Sequence, residues 1–273
     1  MNCKNASKRP LLAAIASMLL AAPVAAHDIV LVPSGKNELV VRYGHPGDWQ
    51  RVEERRLIEL HTYADGGPPQ QRLADLRPVP AGFGKPPLDL RLADRGAQTR
   101  LVAARYDNGY WARVPVPGQS KPFSRNTTRA LLPDAALVTN NLKFAKALVL
   151  DPRDDSLHKR ALGHLLELVP QKNPATLAAG EALPMLVLLG GQPLAGAGVG
   201  VEVGNLEDVI PEDKIVRHTT NAAGIALVTL RPGGLNVVAI GVERPNDGSL
   251  LPRERVGGAD RLALVATFTW VRP

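Results

Sequence analysis

The amino-acid sequence predicts an all-β protein: two tandem, Ig-like β-sandwich domains behind a cleavable leader. Three observations carry this. Short runs of alternating or β-branched residues fill most of the chain. Gly, Pro, Asn and Asp punctuate them at the spacing of strand-connecting turns. The only cysteine, Cys3, lies in the leader, so the remaining residues, 27–273, have no disulfide and must be held by apolar cores, with a length that suits two domains.

The leader is read from residues 1–26. Lys4, Lys8 and Arg9 form a positive start, Leu11 to Ala22 is apolar except for Ser17, and Val24-Ala25-Ala26 supplies small residues at −3 and −1 of a cut after Ala26. The apolar run falls short of the roughly 20 residues that span a bilayer. The expected product is an exported, periplasmic chain that does not span a membrane after processing. The net charge of +7 includes the three leader cations, and what remains is scattered, without a basic run interleaved with aromatics. Nucleic acid is therefore not an expected partner.

The first expected domain covers 27–152. Strands are predicted at Asp28–Pro33, Glu38–Tyr43, Leu57–Tyr63, Thr99–Arg105, Tyr110–Val116 and Phe144–Leu150. In Leu57–Tyr63, period-two alternation puts Ile58, Leu60 and Thr62 on one face and Glu59, His61 and Tyr63 on the other. Residues 64–98, rich in Gly, Pro and Arg, read as loop with at most one short strand near Leu88–Leu92. Leu131–Asn140 reads as a short helix. A linker is expected at 153–163, following the charged, proline-bearing stretch Asp151 to Asp155.

The second expected domain covers 164–273. Its strands are predicted at Leu165–Val169, Pro184–Leu189, Gly198–Val203, Ile215–Thr219, Ile225–Leu230, Asn236–Glu243 and Leu262–Trp270, with turns at Gly190-Gly191, Asn221 to Gly224, Pro232 to Gly234 and Asn246 to Gly248. Seven short strands with turns at this spacing fit one sandwich.

The candidate chemistry is metal ligation. A cut after Ala26 leaves an amine and an imidazole on one residue, His27, able to chelate a divalent transition metal with two nitrogens; neutral imidazole suits Ni, Cu, Zn and Co. His45 stands in Tyr43-Gly44-His45-Pro46-Gly47, a turn at a sheet rim. If Asp28–Pro33 and Glu38–Tyr43 pair as a hairpin, strand one begins where strand two ends, and His27 and His45 share one end. His61, with Glu59 and Tyr63 on its face, is a candidate further ligand or supporting partner. Asp28 neighbours His27, but alternation points it away. His158, His164 and His218 read as structural or surface residues. No enzyme constellation is present: the sequence lacks Gly-x-Ser-x-Gly, His-Glu-x-x-His, a phosphate loop and a catalytic cysteine, so a non-enzymatic protein is expected.

Two resemblances add to this reading. Gly180-Glu181-Ala182-Leu183, Gly191 to Ala197, Thr220-Asn221-Ala222-Ala223-Gly224 and Arg231-Pro232-Gly233-Gly234 resemble the prealbumin-like or carboxypeptidase-regulatory-like sandwich, with Asn221 where that family usually has Asp. Over roughly 27–270, His27 to Ser34, Gly44-His45-Pro46, Lys146-Ala147-Leu148-Val149 and Leu166-Glu167-Leu168-Val169-Pro170 with Asn173-Pro174 resemble a bacterial exported family of unassigned function grouped with periplasmic components of cobalt and nickel uptake systems. Thr139 to Lys143 depart from the Tyr-Ser-Arg-like stretch common there. The resemblance implies a periplasmic accessory protein for nickel or cobalt uptake, with a membrane or outer-membrane metal transporter as partner. The alternatives are a binding or scaffold protein without metal, and a copper protein of histidine-brace type.

Overall fold

The computed structural model describes residues 27–272, apart from 35–37, 46–47, 65–66, 81–88, 94–100, 116, 119–122, 150–155, 179, 203–215, 230–233 and 252–257. The expected leader, residues 1–26, and part of the expected linker lie outside the described residues.

The described residues are all-β. In chain order the strands are β1 (Asp28–Ser34), β2 (Glu38–His45), β3 (Asp48–Gln50), β4 (Leu57–Tyr63), β5 (Gln70–Gln71), β6 (Leu76–Pro78), β7 (Leu90–Ala93), β8 (Leu101–Val114) and β9 (Phe123–Asn126). There follow β10 (Leu137–Leu148), β11 (Leu166–Pro170), β12 (Ala182–Leu189), β13 (Gln192–Pro193), β14 (Gly198–Glu202), β15 (Val216–Thr219), β16 (Ile225–Thr229), β17 (Gly234–Pro245) and β18 (Arg261–Arg272). The only helical segments among the described residues are three-residue 3-10 turns, Glu54–Arg56, Leu73–Asp75 and Leu157–Lys159. No helix among them is long and apolar enough to cross a membrane.

The strands form three layers. A nine-stranded central sheet runs β15-β14-β17-β18-β10-β8-β4-β5, with β9 alongside β8. A five-stranded sheet, β1-β2-β7-β6 with β3 on β2, covers one face, and a four-stranded sheet of β11, β12, β13 and β16 covers the other. Alternation along the central strands explains both cores. Val102, Ala104 and Tyr106 of β8 and Ala145 and Ala147 of β10 pack with Ile29, Leu31, Leu39 and Val41. The intervening Leu101, Ala103, Leu142 and Phe144 pack the opposite way, with Leu168, Met185, Val187, Leu264 and Phe268.

The expected linker separates the outer layers but not the central sheet. β10 pairs in parallel with β18 from Thr139↔Arg261 to Leu148↔Trp270, and the second core takes Tyr63, Leu101 and Phe144 from the first half of the chain.

The central sheet also accounts for three local departures from the expected elements. Leu131–Asn140 is not a helix: turns lead into β10, where Val138 N donates to the Asp260 carboxylate and Asp260 N donates back to Val138 O. The two strands expected either side of Asp107-Asn108-Gly109 are one strand, β8. Asn108 is the extra residue of a β-bulge, with Asn141 opposite Gly109 and Leu142 opposite Asp107. Gly109 takes φ +76° and donates its N–H to the Asp107 carboxylate. Turn residues thus bend a strand here without ending it. Residues 64–98 hold β5 and β6 as well as β7; both are short sheet-edge additions of three residues or fewer, which period-two patterning hardly registers.

Candidate metal centre

β1 and β2 pair antiparallel from Asp28↔Gly44 to Ser34↔Glu38, the hairpin expected from their patterns. Consequently His27, just before β1, and His45, the last residue of β2, meet at one end, with ring centroids 5.5 Å apart. β2 then turns back into β3, with Tyr43↔Gln50, Gly44↔Trp49 and His45↔Asp48 in register. Opposed residues share a face, so Tyr43, His45, Asp48 and Gln50 all present toward His27.

Gly44 makes this return possible. Its φ is +133°, in the region that favours glycine, and a Cβ there would run into the Asp48 carbonyl oxygen. Any larger residue would push β3 off β2.

Around His27 the partners are definite. Its Nε2 lies 2.9 Å from the Asp48 carboxylate and 3.2 Å from the Gln50 side-chain amide. Its ring meets Tyr43 edge-on at 5.5 Å, and Tyr43 stacks on Tyr106 of β8 at 5.1 Å. The Tyr43 hydroxyl donates to Asn108 Oδ1 at 3.2 Å, and Arg56 donates to the Asn108 carbonyl and side-chain oxygens. The bulge in β8 thereby supplies the acceptor that anchors the floor of the cluster.

Beneath lies a buried pair of opposite charges. The Asp28 carboxylate is 4.0 Å from His45 Nδ1. Burial raises its pKa to about 6, against the nearby Lys143 ammonium, which lowers it. Lys143 of β10 is 1% exposed, its Nζ has no hydrogen-bond partner, and it stands 5.9 Å from the Tyr43 ring centroid. Burial lowers its pKa to about 8, with Asp28 acting the other way. Burial comes first among the causes that raise the Tyr43 hydroxyl to about 12. The exposed Asp48 carboxyl is held below the usual carboxylate range by its hydrogen bond with His27.

The expected site residues separate. His27 and His45 come together. His61 does not join them: it pairs with Ala103, which packs in the core on the other side of the central sheet, and its ring is 6.4 Å from Tyr63 of that same core. Asp28, expected to point away, is instead buried beside His45. Among the described residues, no group of three or more His, Cys, Asp or Glu side chains is arranged to hold a metal ion. The donor set is two imidazoles with carboxylates beside them, and a third nitrogen would have to come from the main chain at His27.

Four contributors went unread in the sequence: Asp48, Gln50, Tyr43 and Lys143. His45-Pro46-Gly47-Asp48 carried a hairpin signal, since Pro-Gly between two extended residues turns the chain back. Lys143 and Lys146, set in the apolar run Leu142 to Leu148, were the visible sign of buried charge.

An all-β chain with an imidazole pair at the rim of a sandwich is a class and not an identity. The chain belongs to the family described as "Domain of unknown function (DUF4198)", whose model matches residues 24–244. No curated protein matches it.

Proposed function

We propose that this protein is a periplasmic metal-binding accessory protein for nickel or cobalt uptake. It takes one divalent ion as cargo between His27 and His45 and passes it to a membrane or outer-membrane transporter. The observation that carries the reading is the convergence of the two rings, 5.5 Å apart, at the end of a hairpin whose register leaves little freedom. The donors fit the ion's chemistry. Imidazole nitrogen suits Ni, Co and Cu, and a cut after Ala26 adds the His27 amine to the set.

The amine must lose its proton to bind, and its unperturbed pKa is near 8, so affinity rises with pH through the neutral range. The test is calorimetric titration of Ni²⁺ and Co²⁺ into exported protein whose mature first residue has been read by mass spectrometry. One ion per chain is expected. His45→Ala, or one extra residue ahead of His27, should each weaken binding by at least about tenfold, while His218→Ala should not. Equal affinity in all of these variants refutes the site.

A copper histidine-brace protein is the second reading, and the separation of His61 from the pair favours it. Two imidazoles and an amine, without a third imidazole, suit tetragonal Cu(II), and any such nitrogen set binds Cu²⁺ more tightly than Ni²⁺ or Co²⁺. Cu(II) spectra and a test for oxidative turnover distinguish a copper site from a nickel or cobalt carrier. A scaffold without metal predicts no binding at all.

A further inference from the structure

We infer that Asp48 is a positioning residue that fixes which nitrogen of His27 is free to bind a ligand. The inference deepens the metal-binding reading and rests on it for its purpose, but its geometry stands alone. His27 Nε2 has two neighbours, the Asp48 carboxylate oxygen at 2.9 Å and the Gln50 side-chain nitrogen at 3.2 Å. They make opposite demands. A carboxylate accepts, and so requires a proton on Nε2; an amide N–H₂ donates, and so requires a lone pair there.

The carboxylate prevails because it is ionised and can only accept, whereas the Gln50 N–H also hydrogen-bonds the Asp48 carboxylate and so has an acceptor other than Nε2. Nε2 therefore carries the proton and donates to Asp48, and the Gln50 amide directs its N–H to the same carboxylate. The neutral ring then has its lone pair on Nδ1.

That choice of nitrogen has a chemical consequence. Nδ1 is bonded to the ring carbon next to Cβ. An ion held by Nδ1 and by the main-chain nitrogen of the same residue closes a six-membered ring through Cα, Cβ and Cγ. Nε2 lies on the far side of the imidazole and cannot close such a ring with its own backbone. Asp48 thus presents the one tautomer suited to chelation by a first-residue histidine. Its own place depends on Gly44, whose missing Cβ leaves room for the Asp48 backbone.

Long-range ¹H–¹⁵N correlation spectra of histidine-labelled protein, with His27 as mature first residue and no metal added, read the tautomer directly. At pH 8 the His27 signals should show a protonated, pyrrole-type Nε2 and an unprotonated, pyridine-type Nδ1. Asp48→Ala should mix the tautomers, and Asp48→Asn, whose carbonyl still accepts, should restore the Nε2–H form. A merely structural Asp48 would leave the tautomer unchanged in Asp48→Ala, and that result overturns the inference, as does an Nδ1–H form in the unmutated protein. Neither outcome depends on metal. Ni²⁺ titration of the same samples reports separately on the metal site: binding with the wrong tautomer sinks only the positioning role, and the right tautomer without binding sinks only the site.

Discussion

Lys146 of β10 and Glu167 of β11 form an ion pair at 2.8 Å, and both side chains are almost fully buried. The ammonium also donates to the Arg160 carbonyl at 2.9 Å, and the carboxylate accepts the backbone N–H groups of Leu162 and Gly163. Both charged groups thus have hydrogen bonds beyond the pair itself, the condition under which a buried pair is tolerable. The pair ties the central sheet to the four-stranded layer and clamps the segment leading into β11. Lys146-Ala147-Leu148-Val149 and Leu166-Glu167-Leu168-Val169-Pro170, far apart in the chain, are joined through this contact.

Removing one partner should therefore be costly. Glu167→Ala strands the ammonium and two N–H groups, and about 3–5 kcal/mol of stability should be lost. Lys146→Met with Glu167→Leu should recover part of that loss, because neither charge is then left alone. Urea unfolding of the single and double variants checks both statements. A double variant no more stable than Glu167→Ala would mean that the two N–H groups dominate.

Acid sensitivity should arise partly at His164, whose ring lies tilted against Phe144 with centroids 5.3 Å apart. Burial is the largest cause lowering its pKa to about 4 from 6.5. The folded state thus resists a proton that the unfolded chain accepts, so stability is full above pH 6.5 and is lost as pH falls toward 4. The shift corresponds to about 3 kcal/mol. His164→Leu should flatten that part of the profile in thermal unfolding from pH 7 to 4.

Asp28 and Lys143 should act with opposite signs in different windows. The folded pKa of Asp28, about 6, lies above its ordinary value of 3.8, so the folded state holds an extra proton between them and stability falls as pH rises through that range. The folded pKa of Lys143, about 8, lies below its ordinary value of 10.5, so stability rises with pH between those values. Between pH 6 and 8 both charges are buried at their greatest cost. Asp28→Asn with Lys143→Met should remove both slopes, and comparison with His164→Leu separates the overlap at acid pH.

Gly44→Ala should damage the candidate site more than the fold. The strained φ and the collision with the Asp48 carbonyl should cost about 1–3 kcal/mol locally. Displacing β3 also takes Asp48 and Gln50 away from His27. Metal affinity should fall with little change in far-UV circular dichroism; wild-type affinity in a folded Gly44→Ala protein would show that β3 contributes nothing to binding.

Residues 164–273 expressed alone should be far less stable than the full chain. The fragment lacks β10, the parallel partner of β18 over ten successive register positions, and loses Leu101, Leu142 and Phe144 from its core. Proteolysis and thermal unfolding of the fragment test this, and a cooperative transition near that of the full chain would show that the outer layer and β14–β18 suffice.

By itself the sequence determined the all-β class and the positions of most strands, because period-two patterning and turn residues are local properties. It also implied that His27 and His45 would share one end if the first two strands paired as a hairpin, and the structure supplies that pairing. Tertiary structure alone decided the rest. His61 stands on a polar-looking face that the second outer sheet covers, so its side of the molecule depended on packing. β10 finds β18 across more than a hundred residues, through a parallel register that no local pattern encodes. Asp28 looks in sequence like an ordinary exposed charge, and the apolar run around Lys143 does not say what that lysine faces. Both are buried because the five-stranded and central sheets close over them, and burial, not residue type, is what moves their pKa values.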